Sequence, residues 1–303
     1  MRDIPENLIH TATDVYGEAG RAWADGLPAL LREYQEQWSL VVGPPFPNLS
    51  YNYATPATRA DGTTVVLKVC FPDQAFVREA EALRLFDGHG AVRLLEADAA
   101  RGVMLLERLE PGVPLRAMED DLQATSIAAA VMRQLWRPVP LDHPFPTTHD
   151  WAAGLDRYRA RFGDAPGPIP AALMDKATML FAELLASQSD PMLLHGDLHH
   201  DNILQASREP WLAIDPKGLV GEPAYETGAL LRNPAELFTA SQPARILARR
   251  VAQLSDELAL DRARIRGWAA AQAVLAAVWS LEDHGRISPR WFAVAEWLAD
   301  IKA

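Results

Sequence analysis

The hydrophobic period of this chain changes at Pro111-Gly112-Val113-Pro114, and that change limits the fold more than any single motif does. Between residues 38 and 109, apolar residues alternate or gather in runs of strand length, whereas after 114 they recur at the three- and four-residue spacing of helices. Strand runs fall at residues 38–42, 49–54, 63–70, 91–97 and 103–109. Asp61-Gly62 turns the chain between the second and third, and an Ala-Arg-Gly turn joins the last two. One helix interrupts them, started by Pro72-Asp73 and ended by Gly88. Ahead of the strands, residues 6–37 read as helices with a break at Gly26 and Pro28. Proline-rich joints at 138–146 and 166–170 divide the later helices, and the remaining strand signals, 202–206 and 211–214, make a hairpin closed by residues 207–210. The pattern predicts an α+β chain. A small sheet-rich N-terminal lobe over residues 1–109, with a helical extension and a five-stranded sheet carrying one helix, leads through a hinge to a large helical C-terminal lobe over 110–303.

Charge narrows the partners. The 303 residues carry a formal net charge of −11, and neither lobe is basic, with 10 Lys and Arg against 15 Asp and Glu up to Leu109 and 19 against 25 beyond it. Nucleic acid is therefore a poor partner, and a cationic or polyhydroxylated small molecule a better one. Arg245, Arg249, Arg250, Arg262, Arg264 and Arg266 cluster, but at spacings that wrap around helices beside acidic residues, which reads as a solvated face. The longest nearly apolar run, WAAAQAVLAAVWSL at 268–281, has 14 residues, too short to cross a bilayer, and predicts a buried helix. The start, MRDIPENLIH, resembles neither a secretory leader nor a transit peptide, so the expectation is a cytoplasmic protein. The single cysteine, Cys70, excludes an internal disulfide and a cysteine-built zinc site, and its place in VVLKVC predicts a buried thiol.

Chemistry concentrates in HGDLHHDNIL, residues 195–204. His195, Asp197, Leu198 and Asn202 reproduce the kinase catalytic-loop pattern H-R-D-L-x-x-x-N, with Gly196 in place of the arginine. At that spacing Asp197 would accept the proton of an attacking hydroxyl, while Asn202 would turn its amide oxygen to a magnesium ion on nucleotide phosphates. Leu193-Leu194 and Ile203-Leu204 anchor the two ends of the loop in the core. Asp215 closes the strand Trp211-Leu212-Ala213-Ile214, the place of the metal-binding aspartate in phosphotransferases, although a strand-end aspartate alone is more often a turn residue. Lys68 shares a strand face with Val66 and Cys70. Glu79 shares a helical stripe with Phe76, Leu83 and Phe86, so its carboxylate leans inward and needs a cation, whereas Glu81 points away near Arg78 and Leu85. Lys68 with Glu79 is the pair that holds nucleotide phosphates in kinases. At the joint, the backbone of Glu107-Arg108-Leu109-Glu110 leaves its sheet with donors and acceptors that suit an adenine edge.

His-Gly-Asp-Leu-His-x-x-Asn followed by an Ile-Asp strand end resembles the aminoglycoside phosphotransferases and related choline kinase-like enzymes. Within that superfamily, the helical N-terminal extension, GHGAVRLLEAD at 88–98, LLERLEPG at 105–112 and IDPKGLVGEPAYETGALLRNP at 214–234 are similar to the streptomycin kinase and hydroxyurea phosphotransferase branch. The resemblance implies a protein kinase-like two-lobe fold and an ATP-dependent small-molecule kinase acting on a hydroxyl of an aminoglycoside-type antibiotic or of hydroxyurea. By position it implies Asp197 as base, Asn202 and Asp215 as Mg²⁺ ligands, Lys68 and Glu79 at the ATP phosphates, and the backbone of Arg108 and Glu110 at adenine. Where protein kinases have a glycine-rich loop, this chain has GPPFPNLSYNY at 43–53, so the phosphate contacts would have to come from other backbone amides or from Ser50 and Asn52. For a cationic acceptor, Glu222, Glu226 and Asp283 are the carboxylates considered, each more often an ordinary surface or capping residue.

Three other readings stand beside this one. The acceptor of a kinase could be an unidentified metabolite alcohol. A metal-dependent phosphoesterase would use Asp197-Leu198-His199 with His195 and His200, but it also needs a later Gly-Asn-His segment, and no glycine after His199 precedes an asparagine. Without a metal, His199 and His200 read as neutral rings bonded to the loop backbone. A catalytically dead nucleotide-binding protein would not need a base at Asp197.

Overall fold

The computed structural model describes residues 4–301 except Asn48, Asp164 and Pro166. Asn48 in the loop at 43–53, Pro166 in the second proline-rich joint and residues 1–3 of the quoted N-terminal stretch therefore lie outside the described residues. The chain divides into two compact units, Met1–Glu110 and Pro111–Ala303.

In the first unit, α1 (Glu6–Gln37) buries a stripe of Leu8, Ala12, Ala24, Leu27, Leu31 and Tyr34. Its break is at Gly17 (φ 62°, ψ −140°), not at Gly26 and Pro28, and Pro28 sits inside the helix. The reason is steric. Gly17 takes a left-handed φ that a side chain resists, and the chain beyond it returns so closely that a Cβ on Gly20 would lie 1.9 Å from the Ala12 carbonyl. Pro28 forfeits one backbone bond, which burial of its neighbours Leu27 and Leu31 offsets.

Strands β1 (Val41–Val42), β2 (Tyr53–Thr58) and β3 (Thr64–Val69), then helix α2 (Gln74–Phe86), then β4 (Leu94–Asp98) and β5 (Val103–Glu107) follow in the expected order. The sheet is antiparallel with strand order β1-β2-β3-β5-β4. The first strand is shorter than residues 38–42, because Trp38 caps α1 and Ser39 is left-handed (φ 51°). The second begins only at Tyr53, four residues later than its apolar run. One face of the sheet, with Tyr53, Ala57, Val65, Leu67, Val69, Val103 and Leu105, packs in one core with Leu8, Leu27, Leu31 and Tyr34 of α1. Alternation then sends Lys68 to the other face. Helix α2 starts where Asp73 accepts the backbone N–H groups of Ala75 (2.8 Å) and Phe76 (3.2 Å), and it ends at left-handed Asp87, one residue before Gly88.

The second unit opens with a strand where the sequence reads as punctuation. Strand β6 (Pro111–Pro114) forms one edge of a three-stranded sheet with β8 (Ile203–Ala206) and β9 (Trp211–Ala213), and an edge is where proline is tolerated. The sequence reading also misses β7 (Met192–Leu194) and its antiparallel partner β10 (Leu219–Gly221), three residues each and too short to show a period. The rest is helical: α3 (Asp121–Leu135), α4 (Thr148–Phe162), α5 (Ala171–Ala186), α6 (Pro223–Leu231), α7 (Pro243–Leu258), α8 (Arg262–His284) and α9 (Arg290–Asp300). Helix α8 contains the apolar run at 268–281, is buried on nearly every side, and packs against α4, α5, α6, α7 and α9. Among the described residues no helix is long and apolar enough to cross a membrane.

The arginine cluster is a solvated face only in part: Arg245, Arg249 and Arg262 are exposed, whereas Arg250 and Arg264 turn inward. Arg250 is buried with both its Nε and Nη2 on Asp121, and its Nη1 donates to Asn233 O (2.6 Å). Arg264 grips Glu222 with two donors. Both are internal cross-links between helices rather than surface charges.

Candidate active site

Pairing of β7 with β10 brings the chain leaving Leu194 beside the chain entering Leu219. His195, fully buried, locks the two together. Its carbonyl accepts the backbone N–H groups of Lys217 (2.8 Å) and Gly218 (3.3 Å). Its ring Nδ1 accepts the N–H of Asp197 (3.2 Å), which leaves Nε2 to donate to Ile214 O (2.8 Å). Both ring nitrogens are thus engaged in a neutral tautomer, and burial pushes the ring pKa down to about 4. Gly196 replaces an arginine for a visible reason. Its φ is +86°, and a Cβ there would meet the Trp151 ring at 3.1 Å and Leu219 at 3.3 Å.

Beyond this turn, Asp197 is partly exposed, with Oδ1 3.4 Å from the Arg232 guanidinium and Oδ2 3.8 Å from His199 Nε2. The side-chain amide of Asn202 donates to Asp197 O (2.9 Å), so its amide oxygen faces the other way, and Asn202 O accepts from Ile214 N (2.9 Å). The residue after Ile214 is Asp215, held at φ 62°, a conformation that a non-glycine residue adopts only under constraint. Lys217 Nζ lies 2.8 Å from Asp215 Oδ2. One knot of backbone bonds therefore joins the loops bearing Asp197, Asn202 and Asp215. Asn202 and Asp215 carry oxygen ligands of the type that a hard divalent cation such as Mg²⁺ takes.

Two carboxylates considered for a cationic acceptor serve the interior instead. Glu222 is buried against Arg264 (Nε 2.5 Å from Oε1) and the Trp268 indole N–H (3.2 Å). Glu226 is buried beneath the loop, accepting the backbone N–H groups of His195 (2.6 Å) and Gly196 (2.9 Å). Burial pushes the Glu226 carboxyl up to about 7, while those two N–H groups pull it the other way. Asp283 stays partly exposed near the end of α8. The histidines divide as well. His199 accepts the Asp201 N–H on Nδ1 (3.2 Å), as a ring bonded to the loop backbone should, but His200 is buried with neither ring nitrogen hydrogen-bonded. Among the described residues no group of three His, Cys, Asp or Glu is placed to hold a metal, so the cluster a phosphoesterase needs is not assembled there. Arg232, which no motif marks, is the residue that sequence reading misses.

In the first unit Lys68 and Glu79 are both buried and meet at 2.5 Å between Nζ and Oε1. Glu81 points outward as expected, but its partner is Arg84 rather than Arg78. Cys70 is buried and in no disulfide. In the glycine-poor loop, Gly43 N donates to Pro56 O (2.7 Å) and Phe46 N to Ala54 O (3.0 Å), Ser50 is exposed, and Asn52 is half-buried. The Arg108 guanidinium lies 4.9 Å from the centre of the Phe46 ring, and Glu110 is exposed where the unit ends.

Solved structures that share this protein kinase-like α+β fold include small-molecule kinases. Choline kinase LicA from Streptococcus pneumoniae matches with a TM-score of 0.64 at 11% identity, covering 91% of this chain and 99% of that one. An amicoumacin kinase, hAmiN, matches with a TM-score of 0.60 at 17% identity, covering 93% and 94%. At these identities the likeness defines the fold. Sequence goes further: residues 50–284 match the model of the aminoglycoside/hydroxyurea antibiotic resistance kinases, and the chain belongs to that family. It is 35% identical to streptomycin 6-kinase of Streptomyces glaucescens, over 93% of this chain and 92% of that one. It is 36% identical to hydroxyurea phosphotransferase of Kitasatospora aureofaciens, over 97% and 85%.

Proposed function

We propose that this chain transfers the γ-phosphate of ATP to a hydroxyl of a streptomycin-like aminoglycoside, with hydroxyurea as the alternative acceptor. The observation that carries the reading is the knot around His195, which ties the loops of Asp197, Asn202 and Asp215 together in a chain of this family. Asp197 takes the proton of the acceptor hydroxyl as its oxygen forms a bond to the γ-phosphorus and the bond to the ADP oxygen breaks. Asn202 and Asp215 hold Mg²⁺, which supplies charge neutralisation on the phosphates when bound. Lys68, fixed by Glu79, binds phosphate oxygens, helped by Ser50, Asn52 and the backbone of their loop, while the backbone of Arg108 and Glu110 meets adenine. The cation preference rests on the net charge of −11, with Asp283 as the remaining carboxylate for a guanidinium or ammonium group.

An ATP-consumption screen against streptomycin, other aminoglycosides, hydroxyurea and choline-like alcohols tests the acceptor. Turnover confined to choline-like alcohols would replace it. Asp197→Ala is expected to lower kcat by on the order of 10²–10⁴ with ATP binding intact. Parental turnover in that variant would remove the base assignment.

A further inference from the structure

Helix α6 holds the catalytic loop from beneath at two places. Near its start, Glu226 takes the N–H groups of His195 and Gly196. Just past its end, Arg232 is buried and presents Nη2 to Asp197 Oδ1 at 3.4 Å. A buried guanidinium must place a rigid fork of donors, and a second residue aims this one: Gln272 of α8 accepts from Arg232 Nη1 (2.7 Å). Gln272 is itself fixed at its other end, where Nε2 donates to Tyr225 O (2.5 Å). The route it takes across α6 is open only because residue 228 is glycine; a Cβ there would lie 2.3 Å from Gln272 Oε1. Gly228, Gln272, Arg232 and Asp197 therefore form one chain of contacts from the helical core to the loop, and nothing assigned so far to nucleotide or acceptor uses its middle members.

The geometry points to Arg232, aimed by Gln272, as a positioning residue that holds the Asp197 carboxylate in the rotamer from which it accepts the acceptor proton. This role rests on Asp197 being the base. The arrangement suits it: one donor of the fork is committed to the core, another to Oδ1, and Oδ2 stays turned to His199 and solvent, available for the hydroxyl. A lysine could not do the same, because one ammonium on a flexible stem does not bridge Gln272 and Asp197 in fixed directions. Misplacing a reacting group by about 1 Å is enough to cost on the order of 10²-fold in rate.

The test is a double-mutant cycle on the full chain, reading kcat and the KM for ATP with the best acceptor from the screen. Arg232→Gln is expected to lower kcat by about 10²-fold while the KM for ATP changes less than about two-fold. In an Asp197→Asn background the same substitution should lower the residual rate by less than about three-fold, because the carboxylate it positions is gone. Equal losses in the two backgrounds, or a loss carried by KM, would overturn the role of Arg232 and leave Asp197 as base. Parental turnover in Asp197→Asn alone would overturn both. If Arg232→Gln does not fold, Gln272→Met, which leaves the charge balance intact, carries the same cycle with the same two results.

Discussion

Two histidines on the catalytic loop are buried and neutral, and they differ in what burial has left them. His195 keeps partners on both ring nitrogens, whereas His200 has no hydrogen bond on either. Burial pushes His200 from 6.5 down to about 3, with the nearby Arg250 guanidinium acting in the same direction. Between those values the unfolded chain binds a proton that the folded chain refuses. Stability from this residue is therefore complete above about pH 6.5 and is lost as the pH falls toward 3. Glu226 acts with the opposite sign: raised from 4.5 to about 7, it favours the folded state at acid pH and loses that contribution as the pH rises through 7. The two are separated by subtraction. We expect the unfolding free energy of His200→Leu, measured against the parent by urea denaturation, to improve on acidification from pH 6.5 to 4, by no more than about 1.4 kcal/mol per pH unit. A pH-independent difference would show that His200 takes up its proton without cost.

Among the helices, α3 and α7 are joined by one carboxylate and two adjacent arginines that differ in burial. Arg250 and Arg249 both bind Asp121, but their side chains are 3% and 42% exposed. Arg250 also caps carbonyls at the end of α6, Asn233 O and Leu230 O, a few residues from Arg232. Removing it leaves a partly buried carboxylate and buried carbonyls short of donors, so Arg250→Met is expected to cost about 3–5 kcal/mol in chemical denaturation. Arg249→Met, which loses a solvent-screened pair, should cost less than about 1 kcal/mol. Similar costs for the two variants would mean that burial does not set the strength of this link. The kink in α1 follows the same logic of location over composition. Proline at 28 and glycine at 26 are stronger breakers on paper, but the bend falls at Gly17, where the returning chain needs a left-handed residue.

For the whole molecule the relevant quantity is the net charge of −11, spread over both units. A guanidinium-bearing acceptor would be drawn in by this field and a neutral one would not. The expected outcome is that the KM for streptomycin rises several-fold between about 20 and 300 mM salt, while the KM for hydroxyurea changes less than about two-fold. Equal salt dependence would assign acceptor binding to contacts that do not involve charge.

Sequence alone determined the order of strands and helices in the first unit, the α+β class and the family, and it singled out candidate site residues by short fixed spacings: Asp197 and Asn202 five apart, Asp215 at a strand end, and Lys68 and Glu79 on facing sides of a strand and a helix. Spacing of that kind is set by backbone geometry over a few residues and needs no distant partner. Tertiary structure alone decided that Glu222 and Glu226 are internal braces, that Arg250 is a buried cross-link and Arg264 a partly buried one, that His200 lies unbonded in the interior, and that Gln272 aims Arg232 at Asp197 across the opening left by Gly228. Each depends on which remote segment packs beside the residue, because a charge is an exposed solubilising group or a buried structural one according to its neighbours and its share of water, and one-dimensional spacing carries neither.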